Sequence, residues 1–137
     1  MNRGDFQKLA ELRLDDAKVL LETGRYAGAY YLIGYAVECA LKACIAKQTQ
    51  QYDFPIENSR RLYVHDLNSL LSFSGLSEEH RKNSEDNADF RLNWAIAKDW
   101  KEDARYSLEI DKDKAEALYA AVTDGKDGIV AWLQKWW

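Results

Sequence analysis

The stretch Arg25–Gln48, RYAGAYYLIGYAVECALKACIAKQ, decides the fold. Between Arg25 and Lys47 its only charges are Glu38 and Lys42, and at about 100° per residue its apolar side chains cover nearly every side of a helix. A helix apolar almost all round is a buried one, so this segment is expected at the centre of a bundle, touched by neighbours on several sides. Gly28, Ala29, Gly34, Ala36 and Ala40 leave room for other backbones to come close. Cys39 and Cys44 diverge by about 140° on that helix, too far for a disulfide, and read as reduced core thiols that favour the cytosol.

Upstream, Gly24 supplies the left-handed residue that ends a preceding helix over Asp5–Thr23. There Phe6, Leu9, Ala10, Leu14, Ala17, Leu20 and Leu21 share an arc of about 140°, a stripe that faces the core. Leu12 and Val19 form a second small stripe, expected to pack on a neighbouring helix or, in the sharper reading, on a second copy of the chain. Arg13 projects from the middle of the main stripe and needs a carboxylate there.

Downstream, residues 49–61 (TQQYDFPIENSRR) hold the only proline and are expected to form a loop. A short third helix follows in HDLNSLLSF, with Leu67, Leu70 and Leu71 inward and Ser74-Gly75 as its stop. Ser77, Glu78 and Glu79 look like the start of a fourth, solvated or frayed to Asp89, until Phe90, Leu92, Trp94 and Ile96 restore a core face. Residues 98–112 are expected to be irregular. The last helix starts near Asp111 or Asp113 and shows Ala115, Leu118, Val122, Ile129, Trp132 or Leu133, and Trp136 at helical spacing, with Gly125 and Gly128 explained by close packing or a kink. The pattern is all-α, an antiparallel bundle of four to five helices forming a single domain over 1–137.

Composition narrows function by exclusion. With 19 Lys+Arg against 23 Asp+Glu the net charge is −4, which argues against coating nucleic acid through a dominant basic field. MNRGDFQKL lacks an apolar signal core, and the longest uncharged run, Tyr26–Val37, is shorter than the roughly 20 residues of a membrane span. A chain that is neither secreted nor membrane-inserted is expected, in the cytoplasm. Two His and two Cys without ligand spacing leave no metal site, and no phosphate-binding glycine loop or nucleophile elbow supplies a cofactor or hydrolase motif.

Three blocks carry a resemblance: LDDAKVLLETGRYAGAYYLIGYAVECALKA (Leu14–Ala43), VHDLNSLL (Val64–Leu71) and DARYS (Asp103–Ser107). In this combination and order the chain resembles the HEPN domain, a small helical module often encoded beside minimal nucleotidyltransferases in prokaryotes. The resemblance implies a first helical hairpin, a His-Asp-Leu opening of the third helix and an Arg-Tyr segment before the last helix. It also implies a nucleotidyltransferase-type partner protein and a toxin–antitoxin or defence pair; a homodimer is expected because the apolar central helix, the second stripe and the Trp-rich end offer more hydrophobic surface than a short bundle covers. Ribonuclease members of that family use a late Arg-x(4–6)-His motif, in which arginine steadies a charged phosphorane and histidine moves protons without a metal. Here the late arginine, Arg105, is followed by no histidine.

The expected activity is therefore binding of a nucleotide or RNA, with a metal-independent ribonuclease toxin as the alternative. Arg105, Tyr106 and His65 are the candidate ligand-binding residues, lining a polar groove beside the third helix. Arg105 offers a fork for phosphate, Tyr106 a stacking face and His65 a further donor. The one Arg-x4-His spacing, Arg60 to His65, lies before the third helix and is the only catalytic candidate. For His65 the structural reading is an imidazole bonded to backbone or to Asp66. Glu38 and Lys42, four apart, suit a structural ion pair, with Arg13 as the competing partner of Glu38.

Overall fold

The computed structural model describes the backbone of residues 1–52 and 63–137 and the side chains of 1–48 and 63–137. Its helices are α1 (Arg3–Glu22), α2 (Tyr26–Tyr52), α3 (Leu67–Phe73), α4 (Ser77–Asp86), α5 (Ala88–Ala97), α6 (Lys112–Thr123) and α7 (Ile129–Leu133), with a 3₁₀ segment at Glu102–Tyr106. The fold is all-helical, and the expected helices are recognisable, the fourth and the last each broken in two.

α1 begins in a reciprocal cap: the Asp5 N–H donates to Asn2 Oδ1 and the Asn2 N–H to Asp5 Oδ2, both at 2.9 Å. It ends at Thr23, and Gly24, at φ 78°, turns the chain back into α2. Phe6, Ala10 and Ala17 are buried against α2. Leu12 and Val19 remain 43% and 59% exposed, so among the described residues no helix covers the second stripe, because α2 and α6 take the other side of α1.

Every residue from Ala36 to Ile45 is buried, and α1, α3, α6, α7 and the 3₁₀ segment all pack on α2. Tyr26–Gln48 has the length and mean hydropathy, 1.3, of a membrane span, yet 78% of that window is buried within the bundle. The helix also continues through Tyr52, so residues 49–52 are not the expected loop; the remainder of that loop, 53–61, lies outside the described residues. Both cysteines are buried and unbridged. Gly34 meets a side chain where another backbone was expected: a β-carbon there would overlap the indole of Trp100, which is fully buried although it sits in an irregular connection.

α4 buries none of its residues and breaks at Asn87, whose side chain caps α5 by accepting from the Phe90 N–H at 3.0 Å. On α5 the core face is Phe90, Trp94 and Ala97, while Leu92 and Ile96 are 61% and 41% exposed. Alternate residues point to opposite sides of a helix, so the expected face of Phe90, Leu92, Trp94 and Ile96 cannot all turn inward; positions i, i+4 and i+7 do. Between α6 and α7 the chain leaves the helix altogether. Gly125 has open space around it and Gly128 lies against the backbone of its own turn at Asp124, so neither helix packing nor a kink explains them. Trp132 is buried from α7 beside Phe90, with ring centroids 5.2 Å apart.

Candidate functional site

Glu38 is 1% exposed at the middle of α2, where an isolated carboxylate would be costly. One turn on, Lys42 Nζ donates to Glu38 Oε2 at 2.9 Å. The second partner comes from the chain just before α3. Asp66 caps that helix, accepting from the Ser69 N–H and Ser69 hydroxyl, each at 2.9 Å, and so fixes an extended approach that carries His65 to α2. His65 Nδ1 lies 3.1 and 3.2 Å from the two Glu38 oxygens. Among the described residues the imidazole is thus held by α2, not by backbone or Asp66, because Asp66 is spent on the cap.

On its other side His65 Nε2 lies 3.4 Å from Glu102 Oε2, and Glu102 Oε1 lies 3.1 Å from an Arg105 terminal nitrogen. The Arg105 guanidinium stands 4.9 Å from the centroid of the Tyr106 ring. A row of polar side chains, Lys42, Glu38, His65, Glu102 and Arg105, therefore runs from the core to the surface. Tyr106, 71% exposed, is its outer end. Tyr106 and then Glu102 and Tyr31 beside Arg105 push its pKa up, so it stays fully cationic.

The inner wall of this row is aromatic. Tyr31 stacks between Tyr35 and Trp100, at centroid distances of 6.2 and 6.1 Å. Burial, reinforced by Cys39 and Glu38, pushes the Tyr35 hydroxyl up to about 12, and burial followed by Glu38 pushes the Cys39 thiol up to about 11. Neither ionises near neutral pH, so the wall adds surface and hydrogen bonding without charge.

Glu102, which the sequence reading missed, stands between His65 and Arg105, and Tyr106 lies beside Arg105. The Glu102–Arg105 spacing of i, i+3 was the available signal. Arg60 lies outside the described residues. Glu38 pairs with Lys42, and Arg13 turns along its own helix to Asp16, with Nε 3.1 Å from the carboxylate. The other histidine, His80, sits edge-on to Phe90, Trp94 and Trp132 and takes no part in this row. No cluster of metal ligands occurs among the described residues.

The family model of the HEPN domain fits residues 5–123, from the first turn of α1 to the end of α6. No curated protein and no solved structure matches the chain. With the helical hairpin, the His65–Asp66 opening of α3 and the Arg105–Tyr106 segment all inside the matched span, the chain belongs to the HEPN domain family.

Proposed function

We propose that this HEPN chain is a non-catalytic binding module. It engages the phosphate of a nucleotide or RNA, or a nucleotidyltransferase partner, as a cytosolic homodimer within a toxin–antitoxin or defence pair. The observation that carries the reading is the placement of Arg105. Its guanidinium is exposed beside the ring of Tyr106 and is paired with Glu102, whose carboxylate a phosphate can replace. His65 favours binding over catalysis. Nδ1 is engaged by Glu38 and Nε2 faces Glu102, so neither nitrogen is clear to move a proton at a ribose hydroxyl while both contacts hold.

Titrating wild type and Arg105→Ala with a panel of nucleotides and short RNAs tests this reading. Loss of a charge-assisted hydrogen bond should weaken binding about tenfold or more, and the wild-type affinity should fall with added salt. Equal affinities in the folded variant would make Arg105 a loop anchor. Metal-independent RNA cleavage by wild type, lost in His65→Ala, would replace the binding reading with the ribonuclease one. The dimer rests on the uncovered Leu12 and Val19 of α1, and light scattering after size exclusion should give about twice the chain mass of 15.8 kDa.

A further inference from the structure

Within the row His65 alone faces a carboxylate on each side. From α2 it meets Glu38, whose other partner is Lys42, and from the 3₁₀ segment it meets Glu102, whose other partner is Arg105. Asp66, its neighbour in the chain, is turned to Ser69, and Tyr35 and Cys39 beside Glu38 stay uncharged near neutral pH.

The two carboxylates are not equivalent. Glu38 is 1% exposed in the middle of a long helix, whereas the Glu102 side chain is 29% exposed on a short 3₁₀ segment. A neutral imidazole donates from one nitrogen and accepts at the other, and only the imidazolium donates from both. The neutral ring's one N–H goes to Glu38, because a carboxylate shut away from water loses more when a donor is missing. Nε2 is then left with a lone pair 3.4 Å from Glu102 Oε2. A proton on Nε2 turns that contact into a charge-assisted hydrogen bond, and imidazole is the side chain whose charge ordinarily changes between about pH 5 and 8.

We propose that His65 is a proton-linked latch on the Arg105 site, which holds Glu102 when protonated and so frees the Arg105 guanidinium for a phosphate group. The inference rests on the phosphate-binding reading of Arg105 and adds the regulation of that site. In the free protein Glu102 meets Arg105 with one oxygen and His65 with the other. A phosphate on Arg105 displaces the first contact, and the carboxylate, left beside an incoming anion, depends on His65 for its counter-charge. Phosphate binding and proton uptake therefore favour each other by the same factor.

Two measurements on the full chain separate the latch from the reading beneath it. The first needs no ligand, and follows the ring signals of His65 and His80 by NMR against pH. Arg105→Ala leaves Glu102 to His65 alone and should raise the His65 midpoint, and Glu102→Gln should lower it, each by about half a unit or more, while His80, outside the row, keeps its own midpoint. The second titrates the protein with the dinucleotide uridylyl-uridine, whose phosphodiester keeps its single charge across this range. Wild type should bind it about threefold or more tightly at about pH 5.5 than at about pH 8, the counterpart of that half unit. His65→Asn should flatten the profile, and Glu102→Gln should both flatten it and bind more tightly than wild type at the higher pH, since the competing carboxylate is gone. Binding that is lost in Arg105→Ala yet independent of pH, or a His65 midpoint unmoved by Glu102→Gln, would overturn the latch and leave the Arg105 reading standing. No binding of the dinucleotide by wild type or by Glu102→Gln at either pH would overturn the Arg105 reading, and the latch with it.

Discussion

Replacing Gly34 with alanine sets two physical effects against each other with opposite signs. In the interior of a helix Gly→Ala is worth about 1 kcal/mol in favour of folding. At Gly34 the new methyl would overlap three atoms of the Trp100 indole, a rigid ring that is fully buried. If the ring stays, the strain of overpacking is about 3 kcal/mol, the upper part of the usual range, because a bicyclic side chain cannot yield at one atom alone. If it is expelled, the loss approaches that of a Trp→Ala change, about 3–5 kcal/mol. Subtracting the propensity gain leaves a net destabilisation of about 2–4 kcal/mol. Urea denaturation of wild type, Gly34→Ala and Gly28→Ala measures it. Gly28 is the control, since its β-carbon would make an ordinary 3.5 Å contact with Leu20 and the propensity gain should prevail. The variants should shift in opposite directions. A Gly34→Ala protein as stable as wild type would refute the packing argument.

Glu38→Ala leaves the Lys42 ammonium buried without its carboxylate and should destabilise the fold by about 3–5 kcal/mol, whereas Glu38→Leu with Lys42→Met should recover most of that loss in the same denaturation assay. The thiols are held up by burial, Cys39 to about 11 and Cys44 to about 12, so a disulfide-exchange reagent at pH 8 should titrate neither in the native protein and both after unfolding. Folding favours the neutral ring of His80, so the unfolded chain takes up the extra proton first. That contribution to stability is complete above the ordinary histidine value of 6.5 and is lost as pH falls through it, and His80→Gln should show a shallower decline than wild type between about pH 7 and 5.

What was legible in the sequence follows from where burial imposes a period. α2 could be read because a segment surrounded by neighbours must be apolar on all sides, and α1 because one face of it is. The turn at Gly24 carries its own chemistry, a left-handed residue that glycine supplies. On α5 the true face, Phe90, Trp94 and Ala97, was masked by Leu92 and Ile96, apolar residues that the fold leaves outside. Trp100 lay beyond any periodic argument, since an irregular segment buries a side chain by its own path. For the site, Arg105, Tyr106 and His65 could be named, but Glu102 is defined by two contacts at once, one of them to a residue distant in the chain. His80 stood in a polar run, and only the folded chain sets it against three aromatic rings.

The burial of α2 on every side also determines how the molecule breathes. Five other elements rest on that helix, so its central amides meet solvent only when the bundle comes apart, and their hydrogen exchange reports the free energy of global unfolding. α4 stands at the other extreme. With no buried residue of its own, it rests on α5 and, through the His80 ring, on Trp132 of α7, and its amides can exchange by a local opening that leaves the centre intact. The chain thus joins a slow interior to a fast periphery.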